Sequence, residues 1–240
     1  MERIAREASQ AGAREIHMVG GLHPDYPLSY YEELMARIKS AAPSIHIKAF
    51  TAVEITWFAK RSGLSPKEVL EKLRESGLDS LPGGGSEIFH PDVFDLLVKN
   101  KDGADAWFQV HQAWHETGGR STATMLYGHI EGFEHRVDHL RRLRDQQDKT
   151  GGFLSFIPLA FHPANTELDA LPGPSGFDDL KTLAVSRIYL DNFDHIKAYW
   201  PMLGHRLAQA ALSFGADDFD GTVEQERIYH MAGAETPQGL

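Results

Sequence analysis

The chain has 240 residues, 42% of them hydrophobic, and a formal net charge of −10, which suits one soluble globular domain with a single core. The negative balance argues against nucleic acid or an anionic membrane as the main partner, because either needs a basic face, and no run approaches the roughly 18 apolar residues of a membrane span. With no cysteine at all, disulfides, thiolate nucleophiles and cysteine-held zinc or iron–sulfur centres are excluded for this chain.

In chain order, the opening MERIAREASQAGA is an amphipathic helix pattern without the apolar stretch of a signal peptide, so a cytoplasmic protein with a small-molecule partner is expected. Strands are expected at Glu15–Val19, Ile45–Phe50, Asp79–Leu81, Thr122–Tyr127, Phe153–Pro158 and Ile196–Trp200. Helical patterns lie between them: SYYEELMARIKSAA, TAVEITWFAKRSG followed by SPKEVLEKLRESG, ADAWFQVHQAWHETG, FEHRVDHLRRLRDQQDKTG and FDDLKTLAVSRIYLDN. Ser65 before Pro66, with Glu68 three residues after the cap and Gly77 closing the helix, is a start and a stop signal in one segment. This alternation predicts parallel strands with outer crossover helices, an α/β barrel of about six units. No repeat or flexible linker divides the chain, so residues 1–240 read as one domain.

After the strands come loops rich in Gly, Pro, His, Glu and Asn: GGLHPDYP, TAVE, PGGGSE, GHIE and AFHPANTE. In barrels and open α/β sheets the C-terminal ends of the strands carry the site, because rigid strands there hold converging loops. Three consecutive glycines, Gly83–Gly85, expose backbone to a ligand that approaches closely, and Glu87 follows where a carboxylate could meet hydroxyl or ammonium groups; a plain turn with a helix-start acid explains the same residues. His23, His129 and His162 each sit just after an expected strand, as groups for ligand contact or proton transfer. His111/His115 and His135/His139 have the four-residue spacing of metal ligands, yet no Glu stands where a zinc-protease helix would place its base, and they read as structural. Arg120 opens a strand and belongs to the opposite end. The run VDHLRRLRDQQD reads as a solvated helix face and AWFQVHQAW as core packing.

Taken together, GGLHPDYP, HIKAFTAVEI, GLDSLPGGGSEIF, TATMLYGHIE, DQQDKTGGFLSFIPLAFHPANTEL, DNFDHIKAYWPMLG and GADDFDGTVEQERIYHMAGAETPQGL resemble the aminofutalosine synthases, radical S-adenosylmethionine enzymes of the futalosine route to menaquinone. The resemblance spans essentially the whole chain. The cyclase of that route and the deazaflavin-precursor synthases share the PGGGSEI-type and GHIE-type loops, while KAFTAVEI, PLAFHPANTEL and HIKAYWPMLG look more like the synthase. The resemblance implies a radical-SAM (β/α)6 TIM-like barrel, partial because its first strand is missing, with residues 201–240 as a helical and loop extension over it. It implies that S-adenosylmethionine is cleaved at a 4Fe-4S cluster and that the 5′-deoxyadenosyl radical adds to 3-[(1-carboxyvinyl)oxy]benzoate. On this reading Gly20, Gly21, Glu54, Gly84, Gly85, Glu87, Tyr127 and His129 contact the cofactor, with the two glycines of the first loop taking the methionine ammonium group. His23, His162, Asn165 and His230 are assigned to the substrate.

One departure stands out. The family holds its cluster on a Cys-x-x-x-Cys-x-x-Cys loop, and this chain has neither that loop nor any cysteine, so ligation in the family's way and reductive cleavage are not expected of it. Three readings stay open: a homologue or truncated product of the family, inactive as written; a non-catalytic barrel that binds an adenosyl ligand or dimerises through an exposed sheet edge; and a repurposed metal-dependent hydrolase using His23, Glu54, Glu87 and His129.

Overall fold

The structure, a computed structural model, describes residues 1–98, 102–224, 228–231 and 236–237. The chain runs α1 (Glu2–Gln10), β1 (Glu15–Met18), α2 (Leu28–Ala41), β2 (His46–Ala49), α3 (Ala52–Ser62), α4 (Pro66–Glu75), β3 (Ser80–Leu81), α5 (Pro91–Leu97) and α6 (Ala104–Glu116). It continues with β4 (Arg120–Tyr127), α7 (Phe133–Thr150), β5 (Phe153–Ala160), α8 (Gly176–Tyr189), β6 (His195–Ala198), α9 (Trp200–Leu203), α10 (His205–Ala211), β7 (Asp218–Phe219) and α11 (Ile228–Met231). Sheet order equals chain order, β1 to β7, and the registered pairs β1/β2, β2/β3, β3/β4, β5/β6 and β6/β7 are parallel. Parallel neighbours require crossovers, which is why a helix or a long loop separates each strand from the next.

Two compact units divide the chain: Met1–Gly85 with Asn100–Ser121 and Thr150–Gly152, and Ser86–Lys99 with Thr122–Lys149 and Phe153–Leu240. In the first, the helices start where their side chains can satisfy free backbone donors. Thr51 and Glu54 form a reciprocal capping box on α3, and Ser65 and Glu68 another on α4, where Pro66 occupies the first turn. The core joins Met35 and Ile38 of α2, Ile47 and Ala49 of β2, Ile55 and Phe58 of α3, Leu70 and Leu73 of α4, and Trp114 of α6. In β2 the alternation buries Ile47 and Ala49 and leaves His46 and Lys48 on the other face, where the Lys48 ammonium lies 2.6 Å from Glu15. The histidine pair of α6 straddles one hydroxyl: His111 Nδ1 lies 2.9 Å and His115 Nε2 2.7 Å from Ser121 Oγ, and His115 Nδ1 is 2.8 Å from Thr150 Oγ1.

The second unit packs Met125 of β4, Leu140 and Leu143 of α7, Phe153 and Phe156 of β5, Leu183 of α8, and Phe193 and Ile196 around β6. Gln147 acts as a strand extension, its Oε1 accepting the Phe153 N–H at 2.9 Å and its Nε2 donating to the Phe153 carbonyl at 3.0 Å. Among the described residues seven strands form where about six units were expected. The additional one, β7, has two residues, too few for a periodic signal. The sixth strand ends at Ala198 instead of Trp200, because Pro201, which has no N–H to give a ladder, sits in the first turn of α9. Within the expected extension 201–240, residues 225–227, 232–235 and 238–240 lie outside the described residues.

Candidate functional site

In the first unit the chain leaves β1 through Gly20 and Gly21. The Gly20 N–H donates to Glu54 Oε1 at 2.7 Å, and Glu54 Oε2 accepts the Thr51 N–H at 2.8 Å and hydroxyl at 2.9 Å. Glu54, 3% exposed, therefore caps α3 and fixes the glycine turn at once. Gly21 has φ +69°, and a Cβ there would meet no atom within 4 Å, so its backbone faces open space. Gly84 and Gly85 instead run close over the start of α3: a Cβ on Gly85, at φ +86°, would lie 2.7 Å from Val53 Cγ2. Trp107 holds the same loop by donating to the Gly83 carbonyl at 3.2 Å. His23 turns to its own loop; its Nδ1 accepts the Asp25 N–H at 3.2 Å, and its ring stacks on Tyr26 at 3.9 Å.

Backbone strain gathers after the strands. Among the described residues the non-glycine residues with positive φ are Phe50 (62°), Glu87 (38°) and Asn165 (60°), in the segments following β2, β3 and β5. Such conformations cost on the order of 1–3 kcal/mol each and persist only where the surroundings impose them, commonly at ligand sites. Glu87 and Asn165 were singled out by sequence; Phe50, held in a ring cluster with Tyr31 and Phe58, was not, and no sequence signal marks it.

In the second unit, Ser86 Oγ donates to the Thr124 carbonyl at 2.7 Å and Leu126 N–H to the Glu87 carbonyl at 3.0 Å, registering the loop on β4. The GHIE turn closes on its own glutamate: Gly128 and His129 N–H groups donate to Glu131 at 2.6 and 2.9 Å. Arg136 donates to Glu131 Oε1 through Nε at 2.7 Å, with its Nη2 2.6 Å away. Burial pushes the Glu131 carboxyl up, but the hydrogen bonds from His129 and Gly128 and the Arg136 charge outweigh it and hold it at about 2. His129 is fully enclosed, with Nε2 2.9 Å from the Leu126 carbonyl and Nδ1 2.9 Å from Glu131. Tyr127 donates to Asp179 Oδ1 at 2.7 Å; burial, with Asp179 beside it, pushes the phenol up, and burial raises Asp179 as well. The Arg136 guanidinium lies 5.0 Å from the Tyr127 ring centre. Glu131, Arg136 and Asp179 were missed by sequence reasoning: the first lay inside a loop already singled out, while the others lie in helical patterns that carried no site signal.

The remaining expected residues tie later segments together. His162 Nε2 lies 3.1 Å from the Met202 carbonyl, Asn165 Nδ2 donates to Met231 O at 3.0 Å, and His230 Nε2 lies 2.7 Å from Thr236 O. Of the four residues of the hydrolase reading, His23 and Glu54 belong to the first unit and Glu87 and His129 to the second; among the described residues no three His, Asp or Glu side chains are grouped to hold a metal. None of the described helices is long and apolar enough to cross a membrane.

The family described as "Radical SAM superfamily" matches residues 1–143, and the "CofH/MqnC C-terminal region" matches residues 150–238. The chain is 50% identical over 239 residues to the aminodeoxyfutalosine synthase of Thermus thermophilus, with 98% of this chain and 64% of that one aligned. It is 42% identical to the 5-amino-6-(D-ribitylamino)uracil–L-tyrosine 4-hydroxyphenyl transferase of Methanoculleus marisnigri, covering 96% of this chain and 64% of that one. It thus spans a little under two thirds of the length of these relatives. Among solved structures, methylornithine synthase superposes with a TM-score of 0.74 at 17% identity over 99% of this chain and 68% of that one, a likeness that shows the fold: parallel α/β of the partial-barrel type.

Proposed function

We propose, from the premise that this chain belongs to the radical SAM superfamily, that it is the cofactor- and substrate-binding body of an aminofutalosine-synthase-type enzyme. The observation that carries the reading is the Gly20–Gly21 turn: one amide is fixed by Glu54, and the next residue is left-handed and open. Open, pre-set backbone of this kind suits the ammonium and carboxylate of the methionine end of S-adenosylmethionine. In the first unit Glu54 holds that turn, and Gly84 and Gly85 run close over Thr51 and Val53 at the start of α3. In the second, Glu87 offers a carboxylate to the adenosyl hydroxyls, Tyr127 and His129 shape the neighbouring turn, and His162, Asn165 and His230 order the segments assigned to the benzoate-bearing substrate.

The superfamily implies S-adenosylmethionine and a 4Fe-4S cluster as cofactors. When bound, the cluster supplies the electron that cleaves S-adenosylmethionine. It requires thiolates, and a chain with no cysteine does not fit it, so no cleavage step is assigned to these residues. Their part is to bind the ligand, orient its reacting end and exclude water.

Calorimetric titration with S-adenosylmethionine tests the reading: wild type gives saturable heat, and Gly21→Val, which fills the open turn, abolishes it. A folded wild-type chain that gives no heat would overturn it. A second reading, a binding module that dimerises, draws on β1, which among the described residues pairs with β2 alone; sedimentation equilibrium separates dimer from monomer.

A further inference from the structure

The second helical histidine pair, read from sequence as structural, grips Phe89 and His90, in the segment that follows Glu87. His139 of α7 is fully buried. Its Nδ1 accepts the Phe89 N–H at 3.3 Å, its Nε2 lies 2.9 Å from the Thr124 carbonyl, and its ring stacks on Phe89 at 4.0 Å and 7°. With an N–H donor on one side and a carbonyl on the other, only the neutral tautomer protonated at Nε2 satisfies both. Burial lowers the imidazole to about 3 and keeps it in that form. One turn earlier, His135 lies 4.6 Å from the ring of His90 and accepts the Gly132 N–H at 2.9 Å.

We infer that His139 is a positioning residue: with Ser86 it brackets Glu87 from both sides on a single carbonyl, that of Thr124, and so sets where the Glu87 carboxylate stands for its ligand. Ser86 Oγ donates to that oxygen at 2.7 Å from one residue before Glu87, and His139 reaches the same oxygen while holding the amide two residues after it. Between the two anchors lies a non-glycine residue at φ +38°, a conformation that the chain must impose. Packing alone does not call for a histidine, since a second phenyl ring would stack on Phe89 as well, and burying a polar ring costs free energy unless its nitrogens are used. The ligand part of the inference rests on the proposed function; the loop part does not.

Three variants separate positioning from packing. His139→Asn keeps an acceptor in the Nδ1 position, His139→Gln keeps a donor in the Nε2 position, and His139→Phe keeps only the stack. Hydrogen exchange over residues 82–90, read without ligand, is expected to show the Phe89 amide protected in wild type and His139→Asn and exposed in the other two. The affinity for S-adenosylmethionine should follow the same order, falling about tenfold in His139→Gln and His139→Phe, the worth of one hydrogen bond. Equal protection in all three variants, or affinity that tracks melting temperature with His139→Phe the best binder, overturns the inference. Altered exchange with full affinity throughout overturns the positioning role. Altered exchange in His139→Gln and His139→Phe, with a wild-type chain that binds no S-adenosylmethionine, leaves the loop clamp standing and sinks the functional reading.

Discussion

Glu54 and Gly20, 34 positions apart, meet through one hydrogen bond of 2.7 Å. The carboxylate that caps α3 through Oε2 also holds the first glycine turn through Oε1, so a local helix signal and a long-range tie share one side chain.

Replacing Glu54 by Gln leaves one acceptor oxygen where two are in use, so either the cap or the Gly20 contact is lost. The expected cost is about 1–2 kcal/mol of unfolding free energy, read from urea denaturation, together with weaker S-adenosylmethionine binding. Unchanged stability would mean that the buried carboxylate is not the acceptor for these three donors.

Gly85→Ala combines a left-handed backbone with a Cβ placed 2.7 Å from Val53 Cγ2. A loss of about 1–2 kcal/mol is expected from the backbone and about 1–3 kcal/mol from overpacking. Adding Val53→Ala should recover the second part only, so the double variant should melt between Gly85→Ala and wild type. A double variant no more stable than Gly85→Ala would remove the packing half of this account.

The α6 histidines make the fold acid-sensitive. Burial, with the Arg120 charge adding to it, lowers His115 to about 4, while the unfolded side chain titrates near 6.5. The folded value is the depressed one, so the unfolded chain takes up the proton first. Stability from this group is complete above about pH 6.5 and is lost progressively as pH falls toward 4, on the order of 3 kcal/mol in all. Denaturant midpoints at pH 7 and pH 4.5 measure it; His115→Gln should narrow the gap between them.

Glu131 and Arg136 are a buried pair, with side chains 0% and 13% exposed. Arg136→Leu alone leaves an uncompensated charge and should cost about 3–5 kcal/mol, whereas replacing both residues by Leu should cost less than the sum of the singles. A double-mutant cycle is expected to return a coupling of about 1–3 kcal/mol; additivity would show that the pair does not act as a unit.

Anaerobic treatment with iron and sulfide should leave this chain colourless, because no thiolate is present to hold a cluster. A brown protein with cluster absorbance retained through gel filtration would refute that expectation.

Much of the architecture is legible from local chemistry. The alternation of strands and helices, the boxes at Thr51/Glu54 and Ser65/Glu68, and the polar loops after the strands follow from periodicity, capping and turn preference, which depend on neighbours in the chain. What could not be read was anything decided by partners distant in sequence. Glu131 is a buried acid because Arg136 and two turn amides converge on it. The hydroxyl of the enclosed Tyr127 is satisfied by Asp179, 52 positions away, which accepts its hydrogen bond. The four-residue histidine spacings in α6 and α7 carry the same sequence signal, yet one pair straddles Ser121 and the other grips Phe89 and His90. By itself the sequence determined the types of the longer elements, the candidate loops and the absence of cluster ligands, since these are properties of short segments and composition. Only the tertiary structure decided which side chains are saturated by the protein's own donors and which backbone stays open, because hydrogen-bond satisfaction and burial are set by what folding brings alongside.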